Sequence, residues 1–121
     1  MDFDLSIDDA ARFMRVTVNG APTLGQLLSM IHLLGVESET WQQDRVLVDL
    51  RGVVTPFDRM EQFRIGEEAA ASLSHMDRIA SLVLPERVTR VSEKAARRNG
   101  TNVRVFDREQ DAIVWLEAAR D

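Results

Sequence analysis

The side chains best suited to chemistry in this sequence lie around one strand-like segment and the turn that follows it. Asp49 interrupts the apolar run Val46–Leu50, and Thr55, Asp58 and Arg59 come soon after it. A carboxylate in a buried strand needs an ion pair or hydrogen bonds, because otherwise its neutral form is favoured. Asp49 is therefore either a binding-site acid at the mouth of a ligand cleft or a structural aspartate. Thr55 is either a modification site or a simple hydrogen-bonding group.

A second candidate surface is basic. Its residues recur at spacings of three and four, which predicts that they share one face of a helix; they are Arg87, Arg90, Lys94, Arg97 and Arg98. Such a face could bind an anion, a lipid headgroup or an acidic partner. The alternative is a solvated face whose last turn complements the helix dipole. Trp41, in a polar connector, is either a packing anchor or part of an exposed apolar patch.

The sequence contains no recognised catalytic or metal motif. His32 and His75 are the only histidines, neither belongs to an HxxxH or HExxH pattern, and there is no cysteine. The acidic residues do not have EF-hand spacing, and no glycine-rich phosphate loop or GxSxG motif is present. We therefore predict no metal, no cofactor and no enzymatic activity.

The length and net charge of the chain argue against several classes of protein. At 121 residues the sequence predicts a single domain over residues 1–121, and its net charge of −5 argues against a nucleic-acid binder with a broad basic surface. The acidic start of the sequence is not a signal peptide, and no apolar run approaches the ~20 residues of a membrane span. We therefore expect a cytoplasmic protein without an integral membrane segment.

Hydrophobic patterning predicts the order β-β-α-β-α-β-α-β-α. The predicted strands are Leu5–Ile7, Phe13–Val18, Arg45–Leu50, Ile79–Leu84 and Val103–Phe106. The predicted helices begin at Thr23, Asp58, Val88 and Asp107 and end near Gly35, His75, Arg98 and Ala119. Alternating strands and helices imply a mostly parallel sheet, and the first two strands can pair antiparallel at one edge. The predicted fold class is thus α/β, with a mixed, mostly parallel sheet of about five strands and four packed helices.

Local signals refine this prediction. Three pairs have the spacing of a helix capping box, Thr23 with Gln26, Asp58 with Glu61 and Asp107 with Gln110. Asn19-Gly20 suits a turn, and Asn99-Gly100 suits a left-handed helix end. The second helix is expected to bury Met60, Phe63, Ala70 and Leu73, and the methionines Met14, Met30, Met60 and Met76 are expected to fill the core.

Three segments resemble the SpoIIAA-like group of STAS domains, often labelled STAS/SEC14. They are VLVDLRGVVTPFD at 46–58, GEEAA at 66–70 and NGTNVRVFDREQDAIVWL at 99–116. The resemblance implies a small α/β domain with a non-enzymatic role, either regulation by protein contact or binding of a small or lipid-like ligand. Antagonists of anti-sigma factors in this superfamily switch by phosphorylation of a serine in an Asp-Ser-Ser-Gly turn. Here Arg59, Met60 and Glu61 follow Asp58, so that switch is not expected.

Two functions remain open. The first is a regulatory protein-interaction module that docks through the Thr55–Arg59 turn and the following helix, with homodimer formation also open. The second is a SEC14-like domain with an apolar pocket between the sheet and the helices of residues 24–34 and 60–73. An enzyme that uses Asp49, Asp58 and a histidine ranks below both, since nothing in the sequence places these groups together.

Overall fold

The computed structural model describes residues 3–88, 91–98 and 100–119. The strands are β1 (Phe3–Asp9), β2 (Met14–Gly20), β3 (Arg45–Val53), β4 (Arg78–Leu82) and β5 (Val103–Phe106). The helices are α1 (Leu24–Ser38), α2 (Arg59–Ser72), α3 (Val91–Arg98) and α4 (Glu109–Glu117), and a 3-10 turn spans Pro85–Arg87. This architecture of five strands and four α-helices in the described residues confirms the predicted fold class.

The strands form one sheet in the order β1-β2-β3-β4-β5. β1 pairs antiparallel with β2, and the remaining neighbours pair in parallel. Each parallel pair is joined by a helix, as parallel strands require a crossover connection. The sheet is therefore mixed at one edge only, as the sequence predicted.

Side chains of successive strand residues enter two separate apolar clusters on opposite faces of the sheet. Val46 belongs to the larger cluster, which α1, α2 and α3 cover with residues such as Leu27, Ala70 and Ala96. Leu47 contacts the smaller cluster, which includes residues of α4. The period-two alternation of β3 thus sends Val46, Val48 and Leu50 to the larger cluster and Leu47 to the smaller one, with the charged Asp49 and Arg51 on the same face as Leu47.

Helix α4 is fixed to the sheet at its C-terminal end by two arginines. Arg45 of β3 is buried and donates to the carbonyl oxygens of Leu116 and Ala118, while Arg78 of β4 donates to those of Trp115 and Ala118. Helix ends leave carbonyls unsatisfied and carry a partial negative charge, so guanidinium groups are favourable there. The Trp115 ring also lies under the guanidinium groups of Arg78 and Arg104, at 5.6 and 5.2 Å from its centroid.

The C-terminal end of α1 differs from the prediction. The sequence predicts that Gly35 ends this helix or weakens its end, but α1 continues to Ser38. Gly35 instead lies against α2, where an added Cβ would collide with the carbonyl oxygen of Ser72 and lie 2.9 Å from its Cβ. Its role is therefore to let two helices approach closely, which sequence patterning alone does not distinguish from a helix end.

Other local predictions had mixed outcomes. The capping boxes at Thr23 and Asp58 are both present. The third is wrong, since Arg108 is the N-cap of α4 and no side chain caps it. Asn19-Gly20 ends β2 and does not form a turn. Gly100 has the expected left-handed backbone, with φ +88°, whereas residue 99 lies outside the described residues.

Several predicted boundaries also differ. The helix expected from Val88 begins at Val91 in the described residues, and Val88 instead follows the 3-10 turn. β4 ends at Leu82, before Pro85 is reached, and α2 ends at Ser72. Met14, Met30 and Met76 are buried as expected, but Met60 is 70% exposed. The prediction that Met60 fills the core is wrong, because it lies on the outer side of the first turn of α2.

Candidate functional site

Asp49 lies in a cluster of four charged side chains on the α4 face of the sheet, together with Arg15, Arg51 and Glu109. The Asp49 side chain accepts hydrogen bonds from Arg15 Nη2 (2.9 Å) and from Arg51 Nη2 (2.8 Å), Nε (3.0 Å) and the backbone amide (3.1 Å). Glu109, in the first turn of α4, accepts from both arginines, at 2.8 and 2.9 Å. Two carboxylates thus meet two guanidinium groups, so the cluster has no net charge and joins the start of α4 to β2 and β3.

The electrostatics of this cluster favour the ionised carboxylates. Burial alone would raise the pKa of Asp49, but the hydrogen bonds and charge of Arg51, with the charge of Arg15, outweigh it and hold that pKa below its usual value. The hydrogen bond from Arg15, aided by the charges of both arginines, likewise lowers the pKa of Glu109. Asp49 is therefore a poor proton donor near neutral pH.

The turn of residues 54–58, which follows β3, is held by hydrogen bonds to several other parts of the chain. The Thr55 hydroxyl donates to the carbonyl of Pro22 (2.7 Å), and Arg87 donates to the carbonyls of Thr55 (2.9 Å) and Val54 (3.2 Å). Gln62 of α2 donates to the carbonyl of Phe57 (2.8 Å). The Thr55 hydroxyl is half-buried and already engaged, so its modification would break an existing contact.

Asp58 caps α2 at the end of this turn. Its carboxylate accepts from the amide of Glu61 (2.8 Å), and the Glu61 carboxylate accepts from the amide of Asp58 (2.9 Å). These carboxylates occupy amides that an incoming phosphate would otherwise use at a helix N-terminus. Fixed negative charge thus lies at the α2 end of the turn, whereas Arg87 contacts its Val54–Thr55 end.

Beneath this turn lies a cavity of about 300 Å³, at the carboxyl ends of β3, β4 and β5. Its lining is mostly apolar and includes Leu27, Leu50, Val53, Phe57, Ile65, Val83 and Val105. The polar side chains of Gln62, Ser81, Glu86 and Arg87 also line it. Ligands in open α/β sheets bind outside the carboxyl ends of the strands, and this volume is at the lower limit for small-molecule sites.

A larger, open groove of about 870 Å³ lies between α2 and α3. Three of the predicted binding residues, Arg59, Lys94 and Arg98, meet here with the exposed Met60. Phe63, Val91 and Ala95 also line this α2–α3 groove. A groove with an apolar lining and three positively charged side chains is suited to an amphipathic, acidic ligand.

The other predicted binding residues lie elsewhere or outside the described residues. Arg90 is among the residues that are not described. Arg87 belongs to the 3-10 turn, so the prediction that it shares a helix face with Lys94 is wrong. Arg97 lies on α3 but donates to the carbonyl of Val103 (3.4 Å). Trp41 is half-buried and packs against the larger core cluster.

The sequence predicted an apolar pocket between the sheet and the helices of residues 24–34 and 60–73, and the cavity lies there, but it missed the apolar part of the α2–α3 groove. The spacing of Met60 and Phe63 predicts that both belong to the core stripe of α2. The same spacing occurs where a helix instead borders a groove beside a neighbouring helix. The one available signal was the low hydrophobicity of α3, which offers few apolar residues to cover the start of α2. No local pattern predicts the particular residues that line the cavity, because they come from α1, β3, α2, β4, the 3-10 turn, β5 and the segments between them.

The described residues contain neither a metal-binding cluster nor a membrane-spanning helix. Among the described residues, no group of three or more histidine, aspartate or glutamate side chains is arranged to hold a metal ion. Of the helices in the described part of the chain, none has both the length and the apolar character needed to cross a membrane.

Comparisons with known proteins identify the family. The SpoIIAA-like family model matches residues 9–117, and the chain therefore belongs to the SpoIIAA-like family. No curated protein matches the sequence. The five-stranded sheet and four helices are the SpoIIAA-like STAS fold that the sequence resemblance implied.

Two solved structures share this fold at low sequence identity. An anti-sigma factor antagonist from Mycobacterium paratuberculosis superimposes with a TM-score of 0.67 at 13% identity, over 96% of this chain and 95% of that one. An uncharacterised protein of the DUF3478 family with a SpoIIAA-like fold, from Shewanella loihica PV-4, gives a TM-score of 0.57 at 15% identity, over 94% and 93%. At these identities the likeness concerns the fold.

Proposed function

We propose that this chain is a non-enzymatic regulatory module that binds a protein partner through the α2–α3 groove. The observation that carries the proposal is the position of Met60, a large apolar side chain that is 70% exposed beside Arg59, Lys94 and Arg98. Exposed apolar residues with a charged rim mark many protein contact surfaces. We further propose that the chain acts as one domain in the cytoplasm.

The chemistry of the groove indicates the kind of partner. An amphipathic helix could place its apolar face against Met60 and Phe63 and its acidic residues against Lys94 and Arg98. The protein as a whole carries a net charge of −5, so this groove is a local basic region on an acidic molecule. Charge complementarity of this sort selects the partner and speeds encounter more than it adds affinity.

The proposed module does not use a phosphoserine switch. An anti-sigma factor antagonist shares the fold, but here Asp58 and Glu61 cap α2 with two carboxylates, and the Thr55 hydroxyl already donates to Pro22. A phosphate at the start of α2 would meet like charge. We infer that partner binding is controlled by something other than modification of the turn.

The affinity of a synthetic acidic amphipathic helix, measured by fluorescence anisotropy, tests the chemistry of the groove. The double variant Lys94→Glu with Arg98→Glu should bind at least about tenfold more weakly, because two attractive charge contacts become repulsive. The control is Arg12→Glu with Arg108→Glu, which makes the same change in charge at exposed positions away from the groove. Equal losses in both double variants would attribute the binding to overall charge and contradict the proposal.

A second function, binding of a small apolar or lipid-like ligand, is favoured by one observation, the 300 Å³ cavity beneath the 54–58 turn. Native mass spectrometry of freshly purified protein, compared with the denatured mass, tests it. A bound mass that is lost on denaturation, and lost also in the Ile65→Trp variant that fills the cavity, would support this function. A native mass equal to the denatured mass would show that no ligand is bound and would leave protein contact as the only proposed function.

A further inference from the structure

The two edges of the sheet differ in whether side chains of the described residues bond to their outward-facing backbone groups. At the β5 edge, the carboxylate of Glu93 accepts from the amide of Val105 (2.6 Å), and Arg97 donates to the carbonyl of Val103 (3.4 Å). The amides of Ile79 in β4 and of Val83, just after it, donate to the carbonyls of residues 102 and 106, so residues 103 and 105 direct their backbone groups away from the sheet. Side chains of α3 therefore cover this edge.

The β1 edge has no such cover in the described residues. The amide of Ala10 donates to the carbonyl of Phe13 (2.9 Å), which marks residues 10 and 13 as a hydrogen-bonded pair. Such pairs recur at every second residue of an antiparallel ladder, so Asp4, Ser6 and Asp8 bond to β2. The backbone groups of Leu5 and Ile7 point outward, and no described side chain bonds to them. An open edge of this kind is a template for another strand.

The two faces of β1 have opposite character. Leu5 and Ile7 lie opposite Val18 and Val16 and so face the side of the sheet that α1 covers, yet they are 42% and 38% exposed. Leu33 of α1, 65% exposed, lies about 200° around the helix from Gly35, at about 100° per residue. Because Gly35 faces α2, Leu33 is an exposed apolar residue on the side of α1 that is turned away from α2.

The opposite face of β1 is acidic. Asp4 and Asp8 are exposed there, on the α4 side of the sheet. Asp8 lies across from Arg15, but the Arg15 guanidinium is bonded to Asp49 and Glu109, at 2.9 and 2.8 Å. β1 contains no lysine or arginine, so the charges that an added strand would meet are carboxylates, those of Asp4 and Asp8 on this face and that of Asp9 at the end of the other face.

We propose that β1 is a docking site for an extended segment of a partner protein in which apolar and basic residues alternate. The segment would add a sixth strand, with its backbone bonded to Leu5 and Ile7, its apolar side chains beside theirs and its basic side chains beside Asp4 and Asp8. A second copy of this chain fits less well, because it would add an acidic strand to an acidic edge. This surface is separate from the α2–α3 groove, and the proposal stands independently of it.

The test is amide hydrogen exchange, read residue by residue by NMR, with a short capped peptide of alternating valine and lysine as the probe. In the free protein the amides of Leu5 and Ile7 should exchange rapidly, while those of Ser6 and Asp8 are protected by β2. Saturating peptide should slow exchange at Leu5 and Ile7 at least about tenfold, since only backbone pairing protects alternate residues.

Charge variants separate recognition from general attraction. Asp4→Lys with Asp8→Lys should weaken binding of the peptide about tenfold, whereas the control Asp107→Lys with Glu117→Lys should change it little. Unchanged exchange at Leu5 and Ile7, or equal protection by a valine–glutamate peptide, would overturn the proposal. Protection that rises with protein concentration in the absence of peptide would also overturn it and would assign the edge to a second copy of the chain.

Discussion

Asp49 illustrates how one carboxylate in an apolar strand is accommodated. Both of its oxygens accept from guanidinium groups, and the same arginines hold Glu109 at the start of α4. Its interruption of the apolar run was visible in the sequence, and so was the need for a partner. The identity of the partners was not, because Arg15 is 34 residues from Asp49 and 94 from Glu109 along the chain. We interpret Asp49 as a group that fixes α4 to the sheet.

This interpretation predicts the pH dependence of stability. A carboxyl whose pKa is lowered on folding stabilises the protein above its ordinary pKa, and that contribution is lost as the pH falls through the lowered value. Stability of the parent protein should therefore fall below about pH 4. Asp49→Asn should lower the free energy of unfolding by about 1–3 kcal/mol at pH 7 and should flatten this acid loss.

Urea unfolding at pH 7 and in acid measures both effects. The exposed Asp107→Asn serves as the control, with stability expected to stay within about 0.5 kcal/mol of the parent at both pH values. If Asp49→Asn leaves both the neutral stability and the acid dependence unchanged, the charged cluster does not attach α4 to the sheet.

At the scale of elements, the predictable features were those fixed by neighbours in sequence. The reciprocal contacts at Thr23 and Asp58 span three residues and were predicted from their spacing. The role of Gly35 was not predictable, because it depends on Ser72 in another helix. The groove was missed for a similar reason, since the exposure of Met60 depends on where α3 packs.

Two glycines in α1 provide a matched test of this helix contact. Gly35→Ala should destabilise the protein by about 1–3 kcal/mol, because its Cβ would force α1 and α2 apart. Gly25→Ala should stabilise it by up to about 1 kcal/mol, because the nearest atom to an added Cβ there is Thr23 Oγ1, at 4.0 Å, and alanine favours a helix. Thermal and urea unfolding of both variants measure the difference. Similar changes in the two would show that no close contact exists at Gly35.

At the scale of the whole molecule, the chain has two candidate binding sites on the face of the sheet that α1, α2 and α3 cover, and a third at the β1 edge. The α2–α3 groove is open and basic, whereas the cavity beneath the 54–58 turn is smaller and mostly apolar. The fold was predictable because local patterns in the sequence indicate the order of strands and helices. The family was predictable from the three segments that resemble it. The surfaces were only partly predictable, since Arg59, Lys94 and Arg98 come together only when α2 and α3 pack.

The most direct test of the central claim is photo-cross-linking in cells, with a benzophenone amino acid placed at Met60. The matched control places it at Val114, an apolar residue on α4 that is 61% exposed. We predict that Met60 cross-links to an acidic, amphipathic segment of one protein, that Val114 does not, and that Lys94→Glu with Arg98→Glu abolishes the product. The same products from both positions, or a Met60 product that survives the double charge reversal, would contradict a protein-binding role for the groove.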